Sequence, residues 1–383
     1  MEQIVAMQHA AEIRKWLDAN RSEMIDFLSD LVSIASENPP GNRYVECVDR
    51  IQRQLDALGI ASDRVGQSLV SRTDADRVLV FHGHYDVVPA QDPSQFQPRI
   101  EKGTMFGRGT CDMKGGVVAM IYAARALAAI GAPAARNILL TIVPDEETGG
   151  HRGSGTLLRD GMPHPQIAGM LLPEPTSGVV WNANRGAITL EVTIKGREAH
   201  VGLQHLGINA FEQMVAIVNE LLVLKREIGS ILLLGGTAQA GTNFNVVPAT
   251  ARFTIDRRID PGEDFETERN RLLAILDRAR ANGIDLEVTT IQEGLASASP
   301  ADGDVARALA ASVANVKGKE ASFEMCPGLL EIRFFAARGI PAFAYGPGVL
   351  AVAHGPNEYV KLDEMVNCAA IYAETALRVF GVR

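Results

Sequence analysis

Val78-Leu79-Val80-Phe81, Ile138 to Val143 and Ile167 to Leu172 form short, almost uninterrupted apolar runs. A strand with one face in water alternates apolar and polar residues, so a run without that alternation must be covered on both sides. Helical stretches separate the runs, at Val117 to Ala129 and in a glycine-broken segment reaching Leu158. Strands and helices in alternation predict an α/β fold: a mostly parallel sheet with helices on both faces. Upstream, Ile13, Trp16, Leu17, Met24, Ile25, Leu28, Leu31 and Val32 recur at helical spacing until Pro39-Pro40-Gly41, and Val45 to Leu58 reads as a further helix.

The strand style changes near Ala183. Leu190, Val192 and Ile194 alternate with Thr189, Glu191 and Thr193, and the alternation returns at Ala251, Phe253, Ile255 and at Ile284, Leu286, Val288. Helical stretches at Ala210 to Leu224 and Phe265 to Ala281 lie between. With a further strand beginning at Leu232, the order strand-helix-strand-strand-helix-strand describes an inserted α+β, ferredoxin-like domain. The fully buried style resumes at Ala342 to Tyr345. The expected organisation is a first domain in two parts, residues 1–182 and 294–383, interrupted by an insert at 183–293.

Length and composition agree with a folded protein of this kind: 383 residues, 46% hydrophobic and 22% charged. Lys and Arg total 37 against 46 Asp and Glu, a net charge of −9 without a basic run, so neither nucleic acid nor an anionic membrane is an expected partner. Cys47, Cys111, Cys326 and Cys368 show no paired spacing, and no apolar run approaches a membrane span. A cytoplasmic protein is expected.

Ligand-type residues collect where the apolar runs end. Val78 to Phe81 leads into His82, His84 and Asp86; Ile138 to Val143 into Asp145, Glu146 and Glu147; Ile167 to Leu172 into Glu174; and Ala342 to Tyr345 into the loop holding His354. Asp112 stands just before Met113-Lys114-Gly115-Gly116 and the helix that follows. Open α/β sheets bind ligands at the carboxyl ends of their strands, so these residues converge on one crevice. Histidines and carboxylates so gathered call for cations, and hard oxygen ligands mixed with imidazole suit a pair of zinc, cobalt or manganese ions. Metal-assisted hydrolysis is the natural chemistry. His82 reads as a packed neighbour, and His9, His151, His164 and His205 as surface or structural residues.

The segments Gly83-His84-Tyr85-Asp86-Val87-Val88-Pro89, Gly107 to Gly116, Asp145-Glu146-Glu147-Thr148-Gly149-Gly150, Pro173-Glu174-Pro175-Thr176 and Ala353 to Glu358 resemble, in order, the family of co-catalytic zinc metallopeptidases and deacylases. That family contains acetylornithine deacetylase, succinyl-diaminopimelate desuccinylase, glutamate carboxypeptidase and the aminoacylases. The resemblance implies that Asp112 bridges two metals, with His84 and Glu174 completing one site and Glu147 and His354 the other. It makes Glu146 the general base that activates the attacking water, and Asp86 the carboxylate that orients the His84 ring. It makes the insert a lid through which a homodimer forms, and His200, in Gly196-Arg197-Glu198-Ala199-His200, an oxyanion donor. Asn245 and Arg258 fall in segments that resemble the family's substrate-gripping lid segments; a guanidinium fork would suit a planar carboxylate, with a surface ion pair to Asp256 or Asp260 as the alternative for Arg258.

One segment departs from that pattern. Cys326-Pro327-Gly328-Leu329-Leu330-Glu331-Ile332-Arg333 stands where many relatives carry a small hydroxyl residue followed by Asp. Arg333 is there a second clamp candidate, or a partner of Glu331. The implied activity is removal of an acyl group from an N-acyl amino acid or related small amide; dipeptidase or carboxypeptidase action on the same scaffold is the alternative. A metal-binding dimer without catalysis would show a broken ligand set, which is not what these positions carry.

Overall fold

The computed structural model describes residues 2–162 and 166–381, so His164 lies outside the described residues. The chain divides into two compact units. One comprises Met1–Ala183, Ala298–Cys326 and Leu330–Arg383, the other Asn184–Ser297 with Pro327–Leu329.

In the first unit the strands Ile138–Val143, Val78–His84, Ile167–Leu172 and Ala342–Ala344 lie side by side in that order and run parallel. Antiparallel strands extend both edges: Ser62–Val65 and Ser68–Ser71 beyond Ile138–Val143, and Val180–Asn184 beyond Ala342–Ala344. Every residue of Val78–His84 and of Ile138–Val143 is buried, and the period-2 geometry of a strand sends successive side chains into different cores. Leu79, Phe81, Leu140 and Ile142 join the core built by the helices Arg21–Val32, Tyr44–Ala57, Lys114–Ala129, Asp304–Lys317 and Leu362–Phe380. Val78, Val80, Leu139 and Val143 pack instead with Leu157, Leu330, Ile332 and Phe335. The Phe81 ring sits 4.9 Å from that of Tyr372, and burial of such a side chain contributes roughly 1.5–3 kcal/mol.

Two details differ from the sequence pattern. The apolar spacing before Pro39 forms separate helices, Glu2–Ala19 and Arg21–Val32, and at their junction the Asn20 side chain donates to Trp16 O at 2.7 Å. Short polar strands also escape a periodicity reading. Arg99–Glu101 and Thr104–Phe106 form a hairpin that pairs with Tyr359–Lys361, and this small sheet delivers the buried Glu358 to the loop before the Lys114–Ala129 helix.

The second unit is an antiparallel sheet in the order Leu232–Ala240, Thr250–Ile259, Gly186–Lys195, Asp285–Gly294. Ile188, Leu190, Val192 and Ile194 point to one face and form a core with Ile217, Leu221, Leu272 and Leu276 of the helices Ala210–Glu227 and Phe265–Ala281. Asn209 and Asp264 cap these helices through their side-chain oxygens. The connectivity is the ferredoxin-like order expected of an α+β insert.

Candidate metal centre

The carboxyl ends of the parallel strands carry the site. His84 is the last residue of the central strand, Glu146 and Glu147 begin the turn after Ile138–Val143, Glu174 follows Ile167–Leu172 by two residues, and His354 lies in the loop after Ala342–Ala344. Asp112 reaches them from the amino end of Lys114–Ala129. This helix approaches closely only because Gly116 has no side chain: a Cβ there would stand 2.2 Å from Pro173 O, and one on Gly346 would meet the same oxygen at 2.2 Å.

Two groups of ligand-type atoms result among the described residues, His84 with Asp112 and Glu174, and Asp112 with Glu147 and His354. His84 Nε2 lies 3.3 Å from Asp112 Oδ1 and 3.3 Å from Glu174 Oε1. His354 Nε2 lies 3.2 Å from Asp112 Oδ2 and 3.2 Å from Glu147 Oε2. Asp112 thus offers one oxygen to each group. His84 Nε2 is buried with no hydrogen-bond partner, an uncommon situation for a polar atom unless a ligand satisfies it. The donor set, imidazole plus carboxylates around a shared carboxylate, fits a pair of divalent ions. Glu146 belongs to neither group; its Oε2 stands 3.9 Å from His84 Nε2.

The electrostatics say the same. Burial, with the Asp112 charge beside them, pushes Glu147 up to about 7 and Glu174 up to about 8. Burial also raises Glu146 well above the usual carboxylate range, with Glu174, Glu147 and Glu331 adding to it against the pull of His84. Asp112 is held low: burial opposes its charge, but the His354 and His84 rings outweigh that. The carboxylates of Asp112 and Glu147 push His354 up to about 11. Burial works against a charged His84, yet Asp112, Asp86 and Glu174 raise it well above the ordinary imidazole value. So many acids in one place retain protons until cations replace them.

Asp86 braces this arrangement. His84 Nδ1 is 3.0 Å from the Asp86 backbone oxygen and 3.4 Å from its carboxylate, which fixes the ring with Nε2 toward the ligand oxygens. The same carboxylate accepts the backbone N–H groups of Glu146 and Glu147, both at 3.2 Å, and the Asn38 side-chain amide at 2.9 Å. Glu147 Oε1 accepts the Val88 N–H at 3.1 Å, leaving Oε2 to face His354. The turn begins at Asp145, whose φ of 78° is left-handed and whose carboxylate accepts from Thr148 and Arg152.

Sequence reasoning did not single out Glu358 or Arg108. The Glu358 carboxylate accepts the N–H groups of Gly109, Cys111 and Asp112 at 2.9 to 3.1 Å and pairs with Arg108, which in turn donates to His354 O at 3.0 Å. One ion pair therefore holds both the Asp112 and the His354 loops. The only signal was their place inside the motifs around Asp112 and His354.

The remaining candidates have other surroundings. Arg333 is buried, its guanidinium donating to the carbonyls of Leu330 and Gly149 and lying 4.3 Å over the Phe334 ring; it is not paired with Glu331. His82 is buried among Thr141, Ser154 and Glu331. In the second unit, Arg258 grips Asp256 with Nε at 2.7 Å and Nη2 at 3.1 Å. His200 is exposed and bridges to Val246, and its Nδ1 accepts the Gly202 N–H at 3.1 Å, so the neutral ring carries its proton on Nε2. Asn245 Oδ1 is buried without a hydrogen-bond partner.

Comparisons with known proteins converge. The sequence model of peptidase family M20/M25/M40 matches residues 80–378. A succinyl-diaminopimelate desuccinylase of Alkalilimnicola ehrlichii is 29% identical over 385 residues, covering 94% of this chain and 100% of the relative. Among solved structures, the di-peptidase Dug1p of Saccharomyces cerevisiae superposes with a TM-score of 0.77 at 16% identity over 98% of this chain and 99% of that one. The YXEP protein of Bacillus subtilis, described as a dinuclear metal-binding peptidase, has a TM-score of 0.67 at 17% identity over 94% and 98%.

Proposed function

The chain belongs to peptidase family M20/M25/M40, and from that footing we propose that it is a two-metal amide hydrolase removing the acyl group from an N-acyl amino acid or a related small carboxylate-bearing amide. The observation that carries this reading is the pair of ligand groups joined by Asp112, with a carboxylate outside both of them, Glu146, beside His84. In it, His84, Asp112 and Glu174 would hold one ion and Asp112, Glu147 and His354 the other, zinc by preference, with cobalt or manganese able to substitute. Two such ions polarise an amide carbonyl and make the attacking water more acidic.

Glu146 takes the proton from the attacking water and returns it to the leaving amine. Its seat on a turn pinned by Asp86 gives it a defined reach, and burial raises its proton affinity above that of an ordinary carboxylate. His200, with the proton on Nε2, can donate to the oxyanion as the carbonyl becomes tetrahedral. Arg258 can clamp a substrate carboxylate by exchanging it for Asp256, and Asn245 has an unsatisfied amide oxygen to offer. The second unit exposes Val201, Leu203, Leu206, Phe211, Leu233 and, at 96%, Phe244. Apolar exposure on that scale supports its role as the surface through which a homodimer forms. No helix among the described residues is long and apolar enough to cross a membrane, and Cys47, Cys111 and Cys368 are free thiols, in keeping with a cytoplasmic enzyme.

The test is amine release from acetyl, succinyl, formyl and aromatic acyl amino acids, with dipeptides alongside, before and after chelation. The reading expects chelator-sensitive cleavage of acyl amino acids. Preference for dipeptides would move the assignment to a dipeptidase, and no cleavage by the metal-loaded protein would remove it.

A further inference from the structure

Behind the Glu146–Gly149 turn lies a buried polar network that the reaction above does not use. His82 stands two residues before His84 on the same strand face, completely buried. Its Nδ1 is 2.6 Å from Thr141 Oγ1 on the neighbouring strand, and its Nε2 is 2.6 Å from Ser154 Oγ and 3.2 Å from Glu331 Oε2. Ser154 donates to the other oxygen of Glu331, which is also fully buried. From the same segment, Arg333 reaches forward to Gly149 O, the last carbonyl of the turn that carries Glu146 and Glu147. Gly150 shows how close the contact is: a Cβ there would lie 3.2 Å from Glu331 Oε1.

A buried carboxylate and a buried guanidinium are costly to desolvate, and apolar residues of the same volume would serve a core at least as well. Here Arg333 grips one specific turn from behind, while Glu331 holds Ser154 and His82 next to it. This is also the segment whose residues depart from the family pattern.

We propose that Glu331 and Arg333 are positioning residues which, with His82 and Ser154 as their anchor, fix the Glu146–Gly149 turn and so set where the Glu146 carboxylate stands. The proposal rests on the reading of Glu146 as the base. A base displaced by about 1 Å loses rate without losing substrate affinity.

Arg333→Lys, which removes the guanidinium fork, and Glu331→Gln, which keeps an acceptor for Ser154 but removes the charge, are compared with wild type after loading with cobalt(II). Both variants should bind two cobalt ions, change the cobalt d–d absorption because Glu147 shares the turn, and lower kcat by at least ~10-fold while KM stays within about twofold. Should one variant not fold, the other is read by the same measures. Wild-type spectrum and wild-type kcat in a folded variant would overturn the proposal. A wild type that cleaves nothing in the acyl and dipeptide panel, with the variant spectra still altered, would sink the functional reading and leave the positioning role standing.

Discussion

Val78–His84 is buried along its whole length and ends in His84, of the first ligand-type group, whereas Gly186–Lys195 buries Ile188, Leu190, Val192 and Ile194 and turns Thr189, Glu191 and Thr193 partly outward. The contrast extends to the chemistry each unit carries. In the first, buried carboxylates tie down the backbone of the loops that carry the candidates: Asp86 takes the Glu146 and Glu147 N–H groups, and Glu358 takes those of Gly109, Cys111 and Asp112. In the second, His200 sits exposed on a loop and Arg258 is occupied with Asp256. A site whose backbone is sealed between two cores has its geometry built in; residues on an open sheet face acquire theirs only when a ligand or another surface arrives.

Substitution in each unit separates these roles. Glu146→Ala should lower turnover by about 10²–10⁴-fold, the span expected for loss of a general base, while two metals stay bound. Calorimetric metal titration beside the rate assay checks this, and lost metal would mean that Glu146 is a ligand. His200→Ala should cost about 10²-fold, as removal of one oxyanion donor does, with metal content and melting temperature unchanged. An unaltered rate would return His200 to a purely local role on its loop.

The built-in site also predicts a pH response. Without metal, Glu147 at about 7 and Glu174 at about 8 keep protons that the unfolded chain has already released, and His354 at about 11 keeps one that the unfolded imidazole loses near neutrality. The folded state therefore binds more protons than the unfolded state, and its stability falls as pH rises from 6 to 9. Metal affinity should rise across the same interval, because binding releases those protons, most steeply below about 7 and less so above about 8. Melting curves of metal-free and metal-loaded protein at several pH values test both signs; a metal-free protein that gains stability with pH would contradict the site.

The smallest effect should be that of Phe244→Ser. A side chain 96% exposed contributes little to the fold, so stability should shift by no more than about 0.5 kcal/mol. Association measured by sedimentation should weaken if the second unit forms the dimer. An unchanged assembly would shift the interface to another face.

Much of this was readable in the residues. The apolar runs announced strands covered on both faces, the alternation near Leu190 announced a different sheet, and the placing of His84, Glu146, Glu147, Glu174 and His354 after strands announced a crevice. What escaped was short or indirect. Arg99–Glu101 and Tyr359–Lys361 are too brief and too polar to show a period, yet they bring Glu358 beneath the Asp112 loop. For Arg333 the residues left a second clamp or a partner of Glu331 open, and only the fold shows its guanidinium facing the Leu330 and Gly149 carbonyls.

The chain by itself determined the style of each sheet and the residue types brought to the strand ends, because burial pattern and strand period are local properties of a sequence. Only tertiary structure decided that Asp112 would give one oxygen to each ligand group and that Asp86 would hold the Glu146 turn. It also directed Arg333 inward. These outcomes depend on distances between segments far apart in the chain, which packing of the cores sets and which no local pattern records.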